Sequence, residues 1–82
     1  MRVPITARVY LAIFKIMDGR TKYTFEDITY ILNKTKKFQL GPNSEYVQKA
    51  LDGLVIAEIV EKITQTTVTK YKITKLGRMM RT

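Results

Sequence analysis

SEYVQKALDGLVIA, residues 44–57, followed by IVEKITQTTVTKYKIT, residues 59–74, is the stretch that decides the fold. Val47, Ala50, Leu51, Leu54 and Val55 recur at helical spacing and make one apolar face. Gly53 interrupts that face at a cost near 1 kcal/mol relative to Ala, but the spacing continues across it. Residues 59–64 are apolar and β-branched, as in a strand, and Gln65, Thr66 and Thr67 can turn the chain. Residues 68–74 return with Tyr71 and Ile73 on one side and Lys70 and Lys72 on the other. A helix therefore feeds a two-stranded ribbon.

Working outward, Asn43 or Ser44 caps this helix, with Pro42 fixing the approach and Glu45 in the first turn, where the helix dipole favours a carboxylate. Upstream, Pro4 sits near the start of a first helix over Ile5–Met17, which Asp18 and Gly19 end. Thr24 and Asp27 give a capping-box pattern for a second helix reaching Leu32 or Asn33. The connection from Asn33 to Asn43 carries Lys34, Lys36 and Lys37, with Phe38 or Leu40 as an anchor. Thr74 caps a short last segment holding Leu76, Met79 and Met80, which Gly77 weakens. Residues 21–23 can add a third edge to the ribbon. The expected core comprises Val9, Ile13, Ile16, Ile28, Ile31, Val47, Ala50, Leu51, Leu54 and Tyr71.

Composition bounds the function. At 82 residues the chain supports one domain with one modest core. A hydrophobic share of 45% is too high for a disordered basic tail. Histidine and cysteine are both absent, which removes the usual general base and the commonest metal ligands. No phosphate-cradling glycine loop occurs, and the seven carboxylates are dispersed. Neither an enzyme nor a metal sensor is expected, and no cofactor. No apolar run approaches the roughly 20 residues that span a bilayer, and no signal peptide is evident. A cytoplasmic protein with no membrane partner is the expectation. Fifteen Lys and Arg against seven Asp and Glu give a formal +8, a field that attracts polyanions.

The order helix, short strand, helix, helix, strand, turn, strand resembles the winged helix–turn–helix family of DNA-binding proteins. Tyr46–Leu54 running into Ile59-Val60-Glu61 resembles the recognition helix and second strand. Tyr71-Lys72-Ile73-Thr74-Lys75-Leu76-Gly77-Arg78 resembles the wing ending common in small bacterial and archaeal transcriptional regulators. The fold class so implied is α+β: three helices with a two- or three-stranded antiparallel wing, as one domain over residues 1–82. One departure stands out. Family members usually have Gly where the third helix turns into the strand, and here the residue is Glu58.

The resemblance implies double-stranded DNA as partner, with the helix over 44–57 entering the major groove. Its exposed face holds Glu45, Gln48, Lys49 and Asp52, with Tyr46 beside them. Gln48 can pair bidentately with adenine, and Lys49 can donate to guanine or phosphate. Asn43 and Ser44 suit a phosphate at the helix N-terminus. Lys34, Lys36 and Lys37 are assigned to phosphates, and the wing adds Lys62, Thr66, Thr67, Lys70 and Lys72. Glu45 and Asp52 oppose phosphate, which favours selective reading over coating. Two alternatives remain open, a non-specific architectural or replication factor and a winged-helix module for protein contact.

The first helix has more apolar surface than one core needs. Ala7, Leu11 and Phe14 lie away from Val9 and Ile16, with a narrow polar strip at Arg8 and Lys15. A homodimer built on that strip is expected, unless Met79 and Met80 fold back over it.

Overall fold

The computed structural model describes residues 4–64 and 67–80. Its elements are α1 (Ile5–Ile16), β1 (Tyr23–Thr24), α2 (Phe25–Thr35), α3 (Glu45–Ile56), β2 (Val60–Ile63), β3 (Lys70–Ile73) and α4 (Lys75–Met80). The strands form one antiparallel sheet in the order β1-β3-β2. This is the winged-helix order, with the expected third strand and a short fourth helix where only a weak segment was expected. Several boundaries differ from the expectation: β1 is Tyr23–Thr24 rather than residues 21–23, and β2 is Val60–Ile63 rather than residues 59–64. Helix α2 runs past Asn33 to Thr35, and β3 begins at Lys70 rather than Val68.

Helix α1 packs chiefly on α3. Val9, Ala12, Ile13 and Met17 meet Val47, Ala50, Leu51 and Leu54, while Ile28 and Leu32 of α2 and Val60, Tyr71 and Ile73 of the sheet complete the core. Full burial of such a side chain contributes about 1.5–3 kcal/mol, so this cluster supplies most of the drive to fold. Ile16 and Ile31, expected inside, are only partly buried and pack against the core.

The turns show how local chemistry sets these elements. Thr24 and Asp27 form the complete capping box, each side chain accepting from the other's backbone N–H at 3.1 Å. Gly19, the expected C-terminal stop, lies two residues past the C-cap and ends nothing through a left-handed conformation, since no described glycine has a positive φ. Met17 turns extended instead. The Asp18 carboxylate then gathers the N–H groups of Arg20 at 2.9 Å and Thr21 at 2.8 Å, and the Thr21 hydroxyl at 3.1 Å. The Arg20 N–H, followed by the Thr21 hydroxyl, holds the Asp18 pKa below its ordinary value.

At the end of α3, Glu58 takes the left-handed conformation itself, with φ 63°. Its N–H reaches the Val55 carbonyl and the Ile59 N–H reaches the Leu54 carbonyl, both at 3.0 Å. That is the double hydrogen bond of a Schellman motif, closed by apolar contact between buried Leu54 and Ile59. Glutamate therefore occupies the site that suits Gly, at a cost of about 1–2 kcal/mol.

Next to this turn, the Thr74 hydroxyl donates to the Glu58 and Ile59 carbonyls, at 2.7 and 3.0 Å, and accepts from the Gly77 N–H at 3.0 Å. Thr74 thus caps α4, as expected, and ties it to the end of α3. Gly77 is buried, and a Cβ there would run into the Ile59 carbonyl oxygen and the Ile73 side chain. It is a packing requirement rather than a weakness. Gly53 is the opposite case, because an added Cβ would meet the Tyr10 ring at 3.5 Å, an ordinary contact.

The two glycines should therefore respond with opposite signs in urea unfolding. Gly77→Ala is expected to lose about 1–3 kcal/mol by overpacking against backbone. Gly53→Ala is expected to gain roughly 0.5–1 kcal/mol from helix propensity. A stability for Gly77→Ala equal to the parent would show that α4 does not rest on the α3 turn as described.

Candidate nucleic-acid interface

With Val47, Ala50, Leu51 and Leu54 buried, α3 exposes Glu45, Tyr46, Gln48, Lys49 and Asp52 as expected. The N-terminal half of this face borders an open groove of about 520 Å³ between the helix and the sheet. Asn43, Ser44 and Gln48 line one wall; Lys62, Thr69 and Tyr71 line the other. Ser44 occupies the N-cap position without a side-chain cap hydrogen bond, so its hydroxyl is not committed to the helix. Glu26 and Glu45 also reach the groove, which is therefore mixed in charge. Glu26 went unnoticed in the sequence because the start of α2 reaches this wall only through the fold.

Gln48 is already engaged. Its Nε2 donates to Asp52 Oδ1 at 2.9 Å, one helical turn along. A carboxylate only accepts, so the amide must present its nitrogen to Asp52, and this settles which way Gln48 is turned. The amide oxygen and the second N–H remain available.

Sheet register separates the wing lysines. Lys62 is paired with Tyr71, on the core side of the sheet, and so it faces the groove. Lys72 is paired with Glu61 and Lys70 with Ile63, on the other face. There Lys72 shares a shallow depression with Lys22 and Glu61, which Lys62 borders as well. Lys62 thus borders both surfaces, whereas Lys70 and Lys72 do not line the groove. Thr67 is exposed at the tip, and Thr66 lies outside the described residues.

The lysines expected in the connection do not converge either: Lys34 lies in the last turn of α2, Lys36 is its C-cap, and none of the three lines the groove. Lys34 donates to the Tyr30 hydroxyl at 3.3 Å and lies over that ring. Lys36 turns toward α1, beside Arg8, Leu11 and Lys15. Lys37 is exposed in a left-handed conformation, with φ 57°. An unforeseen staple shapes this loop. Asn33 Nδ2 donates to the Leu40 carbonyl at 3.0 Å, while Asn33 Oδ1 accepts from the Leu40 N–H at 2.9 Å. Phe38 and Leu40, the expected anchors, both pack against the core.

On α1 the apolar strip is smaller than expected. Ala7 and Phe14 are partly covered, with Phe14 packed against the core, whereas Leu11 is 51% exposed. Met79 and Met80 remain 64% and 56% exposed rather than closing over it. Among the described residues, no group of three or more His, Cys, Asp or Glu is placed to hold a metal ion, and no helix is long and apolar enough to cross a membrane.

These elements define a small α+β protein with a winged-helix-like fold. No protein-family model and no curated protein matches the chain. Among solved structures, the crystal structure of dissimilatory sulfite reductase D (DsrD) is similar over 99% of this chain and 100% of that one. The TM-score is 0.54 and the sequences are 18% identical, so the likeness shows a shared fold.

Removing the loop staple should be visible directly. Asn33→Ala is expected to cost about 1–3 kcal/mol, the range for part-buried backbone groups left unmade, and to open residues 36–44 to limited proteolysis. Unchanged cleavage of that loop would show that Phe38 and Leu40 hold it unaided.

Proposed function

We propose that this chain binds double-stranded DNA, reads sequence through α3, and acts as a transcriptional regulator. The observation that carries the reading is the convergence of Asn43, Ser44, Gln48 and Lys62 on one groove beside the exposed face of α3. Helix α3 is rooted by its buried residues, so its outer face can enter a major groove without disturbing the core. Lys62 and the helix N-terminus, with Ser44 uncommitted, supply phosphate donors on either side. The formal +8 draws the duplex in and makes binding sensitive to salt.

Specificity in this reading centres on Gln48. Asp52 takes one amide N–H, and the remaining N–H and Oε1 match N7 and the N6 amino group of adenine. Asp52 then orients the reader instead of reading, and the same carboxylate repels backbone phosphates. An unselective coater would favour a cationic helix, whereas this face offers Lys49 against Glu45 and Asp52. Tyr46 and Lys49 flank the reader, and Lys37 lies on a loop able to meet adjoining phosphates. No catalytic step belongs to this proposal.

Fluorescence anisotropy on a selected site and on random duplex, at two salt concentrations, tests it. Gln48→Ala is expected to lose roughly 1–3 kcal/mol on the selected site and little on random duplex. Asp52→Ala should bind random duplex more tightly while discriminating less between the two. Lys62→Ala should weaken both duplexes alike and lower the salt slope by about one unit. Equal losses on both duplexes for Gln48→Ala would show that α3 does not read bases.

A further inference from the structure

A second surface shares no residue with the groove. On the outer side of α1, Leu11, Ala12 and Phe38 floor a shallow depression of about 310 Å³, and Arg8, Lys15 and Lys36 stand around it. We propose that this depression docks an acidic amphipathic segment of a partner protein, an apolar side chain seating on Leu11 and flanking carboxylates meeting Arg8 and Lys36.

Three observations select that occupant. The floor is apolar, and Leu11 is 51% exposed, so a phosphate backbone has nothing to gain at its centre. The Arg8 guanidinium lies over the Phe38 ring, 5.4 Å from its centroid. Stacking in this way pre-orients a planar fork for a carboxylate and lowers the cost of ordering it. The cationic rim also disfavours a second copy of this chain, because symmetric pairing on Leu11 would bring like charges together. Charge complementarity thus points to a segment with an apolar residue set among Asp and Glu. The patch is small, and the association should be weak and salt-sensitive. Because the groove is separate, such a partner could be carried while α3 is engaged elsewhere.

The test is selection of a random peptide library displayed on phage against the wild-type chain, with counter-selection on Leu11→Ser. Both positions are exposed, so Leu11→Ser and Lys36→Glu should keep the parent's thermal unfolding. Enriched peptides are expected to place a large apolar residue within a helical turn of several carboxylates. They should bind wild type about tenfold more tightly than either variant, as for loss of one anchor. Duplex affinity of Leu11→Ser should stay at the wild-type value. Peptides that bind Leu11→Ser and Lys36→Glu as well as wild type would overturn the proposal. So would a wild-type dimer in sedimentation equilibrium that Leu11→Ser splits, or a comparable loss of duplex affinity in Leu11→Ser.

Discussion

The Ile59 carbonyl oxygen is the point on which the arrangement of helix and wing depends. It accepts from the Thr74 N–H at 2.9 Å and from the Thr74 hydroxyl, and Gly77 lacks a Cβ so that α4 can pass beside it. Ile59 directly follows the left-handed Glu58, and its own N–H closes the last turn of α3. One residue thus ends the helix, starts the path into β2 and receives the start of α4. If it moved, the angle between α3 and the sheet would change, and with it the groove that Asn43, Gln48 and Lys62 share.

The fold was legible because several independent signals agreed. The apolar spacing of Val47, Ala50, Leu51 and Leu54 survived Gly53, and the structure buries all four. Thr24 with Asp27 marked the start of α2 correctly, although Asp is the less usual partner in a capping box. Glu58 stood where a glycine belongs, and its backbone obeys the position rather than the residue type. Gly19 misled for the converse reason. A glycine after a helix suggests a left-handed stop, but the Asp18 carboxylate had already satisfied the local N–H groups in another way.

The site was less legible, since it depends on which way side chains face once distant segments meet. The Gln48–Asp52 bond follows helical spacing and could have been read directly. The face taken by Lys62 could not, because it follows from pairing with Tyr71 across a turn of unknown length. Lys34, Lys36 and Lys37 read as one cationic run, but Lys34 belongs to the last turn of α2 while Lys36 and Lys37 lie past its end, so no single face holds all three. Asn33 looked like a helix terminus and proved to be the clasp of the loop beyond it.

The pairing of Lys62 with Tyr71 makes the length of the wing tip an electrostatic setting. Adjacent strand residues point to opposite faces, so a slip of β2 by one position against β3 would turn Lys62 outward. Glu61 or Ile63 would take its place on the groove side. A carboxylate there would stand near Glu26 and Glu45 and reverse the sign of that wall. A single inserted or deleted tip residue, touching neither α3 nor the core, could thereby put a carboxylate in place of the lysine of this mixed-charge groove and leave it anion-repelling.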